Sequence, residues 1–310
     1  MSSAISSGAL IGILVSMISL ATPYLYAGVG ETFAQTSGVV NLGVEGIMLL
    51  SGYAAFYVAS TTGNLWLGMG AAVIVGLAMG LLMSLVSVTL KAEQGISGIG
   101  LYMFGLGMSS LLFKTTIGTV KTIDGFQAVK IPVLGDLPVI GPILFQHSVP
   151  VYGAFLLVPV AWWLLSKTTL GLQIRSVGQN PAAADSLGIN VDRIRYFSVC
   201  LGSVLAGIAG ASLSIALVDL FQDNLTAGQG FIAVALVYFG GWSPWGVMGG
   251  ALLFSVVNSI QLWMQVLGVK IPSDFAVMLP YLMTIAALMV TVNRARQPAA
   301  LNKPFERGEN

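Results

Sequence analysis

The chain has 310 residues, and only 8% of them are charged, against roughly 25% in soluble globular domains. With 56% hydrophobic residues and a mean hydropathy of +0.88, a water-soluble fold would leave large apolar areas exposed, so lipid is the natural solvent. A net charge of +1 argues against nucleic acid as a partner, and a single cysteine, Cys200, argues against an internal disulfide or a multi-cysteine metal site.

Residues 1–30 carry no charged side chain, so the segment lacks the basic start of a signal peptide and reads as a first membrane span. Further charge-free runs cover 46–90, 94–113, 137–166, 196–218, 224–269 and 275–293. A span needs about 20 apolar residues, so two of these runs hold two spans each. Thr61 to Asn64 divides one, and Gly240 to Pro244 divides the other. The expectation is an all-α polytopic membrane protein with about nine transmembrane helices, eight to ten in range.

Glu31, Gln35, Asn41 and Glu45 fall in a stretch that otherwise reads as membrane, among Gly38, Gly43 and Gly46, which suggests one early broken helix. Glu31 reads as a hydrated interfacial group. For Asn41 and Glu45, a hydrated interface and a place facing the bundle interior or a water-filled cavity both stay open. Segment 114–148, with Lys114, Lys121, Lys130, Asp124, Asp136 and three prolines followed by Pro150, reads as a folded external loop, and it holds the single histidine, His147.

The polar stretch 167–195 carries helix punctuation. Asn180 is a plausible N-cap, Pro181 fits the first helical position, Ala182 to Leu187 favours helix, and Gly188 supplies the stop. Such a short helix needs docking to be stable; an ordinary connecting loop is the plainer alternative. Gly202, Ala206 and Gly210 lie four apart, as in a close-packing seam. Asn258, Gln261 and Gln265 share one helix face and should point at other helices, where interhelical bonding is their commoner role and a polar solute the other.

The basic residues set orientation. Lys91, the group Lys167, Arg175, Arg193 and Arg195, and the group Arg294, Arg296, Lys303 and Arg307 are separated by two and four spans, so all can face the cytoplasm. The C-terminus is then cytoplasmic and, with nine spans, the N-terminus external. A single transmembrane domain would occupy 1–293, with a cytoplasmic tail at 294–310. No lysine follows a glycine, so a phosphate loop ending in Gly-Lys is excluded, and neither a zinc motif nor a His-based nucleophile pairing is present.

Three segments together resemble a known family. They are Thr36 to Met48 (Thr-Ser-Gly-Val-Val-Asn-Leu-Gly-Val-Glu-Gly-Ile-Met), Gly171 to Ala184 continuing to Gly188-Ile189-Asn190-Val191, and Thr226 to Ala233 followed by Phe239-Gly240-Gly241-Trp242-Ser243-Pro244-Trp245-Gly246. In that order they are similar to the membrane permease subunits of bacterial ABC importers for simple sugars and nucleosides, related to ribose and branched-chain amino acid permeases. The closer match is the shorter permease of paired systems.

The resemblance implies alternating access without catalysis by this chain, in the bacterial cytoplasmic membrane. It implies a longer second permease as heterodimer partner, an ABC ATPase that holds ATP and Mg, and an extracytoplasmic binding protein; this chain itself would hold no cofactor. Asn41, Glu45, Asn258, Gln261 and Gln265 would line the substrate path. The loop with Gly171, Arg175, Gly178, Asn180, Pro181, Ala182, Ala183, Asp185 and Gly188 would dock on the ATPase. Many nucleoside-type members place an acidic and a basic residue where this chain has Gln35 and Thr36, and a neutral pair cannot form that ion pair. Nucleosides come first as substrate and simple sugars second, both being neutral polyhydroxylated solutes. A single-chain secondary transporter driven by an ion gradient is the alternative.

Overall fold

The computed structural model describes residues 2–132, 134–266, 278 and 297–306, with the side chains of 2–7, 265 and 266 outside that description. The long helices are α1 (Ser2–Thr36), α2 (Val44–Thr62), α3 (Leu65–Ser84, continued by a π-helical turn Leu85–Thr89) and α4 (Gln94–Thr116). A two-stranded antiparallel sheet, β1 (Ala128–Lys130) and β2 (Gln146–Ser148), pairs Ala128 with Ser148 and flanks the short α5 (Ile140–Leu144). Then follow α6 (Val149–Lys167), α7 (Thr169–Gln179), α8 (Pro181–Ser186), α9 (Val191–Ala216), α10 (Gln229–Phe239) and α11 (Pro244–Val266).

Helix α9 is the centre of the bundle and packs against α1, α2 and α3. Small residues make this possible, because without a side chain two backbones can approach to van der Waals distance. Gly202 of α9 faces Gly30 of α1, where an added Cβ would stand 2.7 Å from the Gly30 carbonyl. One and two turns on, Gly207 faces Ala72 and Gly76 of α3, and Gly210 faces Met48 of α2. The seam expected from Gly202, Ala206 and Gly210 is therefore present, and its glycines serve three different neighbours.

Six helices are long and apolar enough to cross a membrane: Gly8–Thr36, Leu65–Thr89, Gln94–Thr116, Val149–Lys167, Val191–Ala216 and Pro244–Met264. The nine expected from charge-free runs are not all of this kind among the described residues, and the candidate span at 275–293 lies outside them. Two of the differences have a physical cause. Helix α2 carries Glu45 and several polar residues, yet it is buried over most of its length between α3, α4, α9 and α10, so protein rather than lipid solvates it. Helix α10 has 11 residues, too few to cross alone, since about 20 are needed.

Both of these helices begin inside the bundle. Thr36, where α1 ends, lies against Gly178 of α7, and Gly38 lies beside Arg195, near the start of α9. Segment 37–43 then climbs in non-helical form until Asn41 meets Ser203, which is 12 residues into α9 and so about 18 Å along its axis. At the other end, Thr61 and Thr62 close α2, Gly63 takes φ +68, and the Asn64 side chain caps α3, as the break there requires. Beyond α9, residues 217–228 fold back as irregular backbone, with positive φ at Asp219, Asn224, Ala227 and Gly228, and deliver α10 to the first turn of α2.

If the glycine seam fixes the bundle, Gly210→Val should destabilise it by about 1–3 kcal/mol through overpacking, because its Cβ would lie 2.0 Å from the Met48 carbonyl. Thermal unfolding in detergent should show a lower midpoint. Gly249→Val, with open space around the added Cβ, should match wild type.

Candidate functional site

The first half of the site is the break between α1 and α2, whose backbone cannot bond to itself as a helix does. Side chains supply the partners. Glu31, on α1, accepts from the Asn41 N–H at 3.0 Å and from the Gln35 side-chain amide at 3.1 Å. Gln94, at the start of α4, accepts from the Val40 N–H at 2.9 Å. Asn41 accepts from the Gly43 N–H at 2.9 Å and donates its amide to the Ser203 hydroxyl at 3.4 Å. The Gln35 carbonyl oxygen accepts from the Trp242 indole at 3.0 Å, which ties the break to the turn between α10 and α11.

Glu31 is thus not the hydrated interfacial group the sequence suggested. It is 1% exposed, because the chain folds a polar backbone segment beneath it that needs an acceptor. Gln35, one of the two neutral residues at the point of departure from nucleoside-type members, bridges Glu31 and Trp242 where an ion pair would otherwise stand.

Glu45 forms the second half. It is 1% exposed, and one carboxyl oxygen accepts from the Thr226 hydroxyl at 2.5 Å and the Gly228 N–H at 2.7 Å, while the other accepts from the Gly230 N–H at 2.5 Å. These donors surround the N-terminus of α10, where free N–H groups and the helix dipole favour a carboxylate. The residue opposite must be small: a Cβ on Gly230 would lie 2.6 Å from the Glu45 Cα. Of the two settings left open by the sequence, Glu45 and Asn41 occupy the interior one: both are buried in the bundle and bonded to protein.

Asn258 is half-buried and donates to the Tyr24 hydroxyl at 3.1 Å, so it faces α1 as its helix face required. Gln261 is half-buried, and the side chain of Gln265 lies outside the described residues. The structure therefore brings Asn41, Glu31 and Gln35 into one buried hydrogen-bonded set, gives Glu45 its own donors at the start of α10, and leaves the amide row on α11. Sequence reasoning missed Gln94, Ser203, Thr226 and Trp242 as members. Thr226 and Trp242 stood in the third motif, but Gln94 and Ser203 gave no periodic signal. His147 is buried, with its ring nitrogens at 3.3 Å from the Ser19 hydroxyl and 2.8 Å from the Ile143 carbonyl, and so pins the α5–β2 segment to α1.

The stretch expected to hold one short helix holds two. Thr168 caps α7 by accepting from the Gly171 N–H, and Asn180 caps α8 by accepting from the Ala183 N–H at 3.0 Å. Pro181 opens α8 and Gly188, at φ +84, ends it, both as expected. Ala182, Ala183 and Leu187 are exposed, Leu187 at 81%, whereas Gly171 and Gly178 are buried. Gly178 abuts the Thr36 carbonyl so closely that no Cβ would fit. Asp185 lines a cavity of about 290 Å³ with Lys91 and Phe305, and the Arg175 guanidinium donates to the Gly171 carbonyl at 3.4 Å. Nearby, Glu93 caps α4. The N–H groups of Ile96 and then Gly95 hold its carboxyl below the usual carboxylate range.

Residues 13–288 match the family described as branched-chain amino acid transport system / permease component. Among curated relatives, a putative glucose ABC transporter permease protein of Haloferax volcanii, TsgC13, is 36% identical over 96% of this chain and 98% of its own length. Two guanosine ABC transporter permease proteins of Bacillus subtilis also match. NupQ is 34% identical over 96% of this chain and 97% of itself, and NupP is 28% identical over 75% of this chain and 68% of itself.

Glu45→Gln should lower the thermal midpoint, since an amide can accept at only one end and leaves a buried donor unpaired, a loss of about 1–3 kcal/mol. Glu45→Ala should lower it further. Unchanged midpoints for both would show that Glu45 does not join α2 to α10.

Proposed function

The chain belongs to the branched-chain amino acid transport system / permease component family, and from that premise we propose that it is a permease subunit of an ATP-driven importer, forming half of a translocation path for a nucleoside or simple sugar. The observation that carries this reading is the pair α7–α8. A capped six-residue helix that presents Ala182, Ala183 and the 81%-exposed Leu187 offers an apolar face a partner can cover. The partner of that face is an ABC ATPase, which holds ATP and Mg and performs the hydrolysis. Gly171, Arg175, Gly178, Asn180, Pro181, Ala182, Ala183, Asp185 and Gly188 shape or present it.

The path runs past Asn41 and Glu45, with Asn258, Gln261 and Gln265 on its α11 side. Both helix starts, α2 and α10, lie inside the bundle, and the hydrogen bonds between them are of the kind that a hydroxylated solute can replace when the helices part. Three relatives support these two substrate classes: NupQ and NupP carry guanosine in their names, and TsgC13 carries glucose. They also support a heterodimer. The two guanosine permease proteins come from one organism, and the aligned stretch is a smaller share of NupP than of this chain, so the second permease is the longer one. An extracytoplasmic binding protein delivers the solute.

Nine crossings follow when α2 with its climbing segment and α10 with residues 217–228 each count as one, and 275–293 supplies the last. The protein then lies in the bacterial cytoplasmic membrane as a single permease domain over 1–293, N-terminus outside, segment 114–148 outside, and 167–195 and 294–310 inside. In a Cys200→Ser background, an impermeant maleimide added to intact cells should label a cysteine at Lys121 and spare one at Arg175; the reverse pattern would invert the topology.

Ala183→Trp adds bulk to the exposed face of α8 and should lower ATPase co-purification about fivefold or more, given overpacking costs of about 1–3 kcal/mol. Insertion and pairing with the second permease should be unaffected. Wild-type ATPase recovery, together with uptake by the purified single chain in liposomes, would favour an ion-driven transporter instead.

A further inference from the structure

Residues 297–306 lie across the α7–α8 end of the bundle and touch every element that meets there. The Ala300 N–H donates to the Gly178 carbonyl at the end of α7 (2.9 Å), and the Asn302 N–H donates to the Gly38 carbonyl in the break (3.1 Å). Arg195 of α9 donates to the Lys303 carbonyl at 3.1 Å, and Glu306 pairs with Lys91, between α3 and α4, at 3.0 Å. Two side chains anchor the segment in different places. Leu301, 5% exposed, belongs to the main core, whereas Phe305 packs on the separate cluster of Val177, Ala184 and Val191 beneath α7, α8 and the start of α9.

Arg195 gives the segment its grip. The side chain is 1% exposed, and among the described residues Nε and Nη2 have no hydrogen-bond partner, so the Lys303 carbonyl is a specific acceptor for a buried cation. The guanidinium also stands beside Gly38, just past the C-terminal end of α1, where a helix dipole favours positive charge. Helix α8 does not touch the break itself; it reaches it through α7, at Gly178, and through this segment. With one link, α8 could pivot about Gly178. With two, α7, α8 and the break move as one body.

We propose that residues 297–306, held by Arg195 and Phe305, are a coupling strap that carries motion of the docking helices to the α1–α2 break. Arg195 is a positioning residue in that device. The proposal rests on the reading of α7–α8 as the ATPase docking site.

The test uses the complete transporter with its ATPase, second permease and binding protein, in a Cys200→Ser background with a reporter cysteine at Val40, which is 9% exposed in the break. Labelling by N-ethylmaleimide is compared with and without ATP plus vanadate. The parent should change its labelling rate about fivefold or more, the scale of a coupling between two sites. Phe305→Ala and Arg195→Met should abolish most of that change while the ATPase co-purifies and hydrolyses ATP as before, and Arg195→Lys should retain part of it. A parent-like response in Phe305→Ala and Arg195→Met overturns the strap, as does a parent with no nucleotide-dependent change. Loss of the ATPase from both variants also overturns it, because the segment would then be docking surface. Failure of the docking reading is seen separately, as full ATPase recovery in Ala183→Trp.

Discussion

A backbone N–H or C=O group inside a membrane protein must find a partner within the protein, since lipid offers none and an unsatisfied group costs several kcal/mol. Most of this chain meets that constraint by being helical. Residues 37–43 and 217–228 do not, and both run inside or back into the bundle. Where backbone carbonyls do not take up their N–H groups, side chains do: Gln94, Glu31 and Asn41 for Val40, Asn41 and Gly43, and Glu45 for Gly228 at the end of the second segment. The acidic and amide residues that looked anomalous in an apolar sequence are the acceptors that irregular backbone at this depth needs.

The same constraint joins parts that would otherwise be independent. Because Glu45 sits on α2 and its donors belong to the approach to α10, one carboxyl group fixes the relative position of two helices that start inside the bundle. Because Gln35 accepts from Trp242, the end of α1 is fixed to the turn before α11. Elsewhere α1, α2, α3 and α9 meet mainly through glycine and small residues, backbone against backbone, with a few polar contacts such as the Ser214 hydroxyl donating to the Gly52 carbonyl at 3.0 Å. The two modes differ in what they tolerate. Close backbone contact has few alternative arrangements, whereas a hydrogen bond can pass from one partner to another at small cost.

How far the sequence reaches follows from the kind of signal each feature leaves. Punctuation was legible: Gly63-Asn64, Asn180-Pro181 and Gly188 each act through their own backbone, so their effect is local. The seam at Gly202 and Gly210 was legible for the same reason. Glu31 was misread because its partner is a backbone N–H ten residues away, which no periodicity reports. Counting charge-free runs sets α2 and α10 level with the lipid-facing spans, although protein solvates α2 and α10 has only 11 residues. Gln94 and Ser203 were missed because polar residues at helix starts and in small-residue helices look ordinary until the fold sets Val40 and Asn41 beside them.

The glycine-packed body and the hydrogen-bonded joints divide the labour that transport demands. A force arriving at α7–α8 meets Thr36 through Gly178, and Gly38 through Asn302, at the point where rigid α1 gives way to irregular backbone. From there the chain reaches Asn41 and Glu45 within seven residues. Helix α1 itself is too tightly seated against α9 to transmit the motion by sliding, because Gly30 and Gly202 leave no slack. If α7–α8 is the docking site proposed above, displacement would be spent where bonds can be exchanged, at the acceptors of segment 37–43 and at the carboxyl group between α2 and α10. Those are also the positions at which a hydroxylated solute could substitute for a lost protein donor.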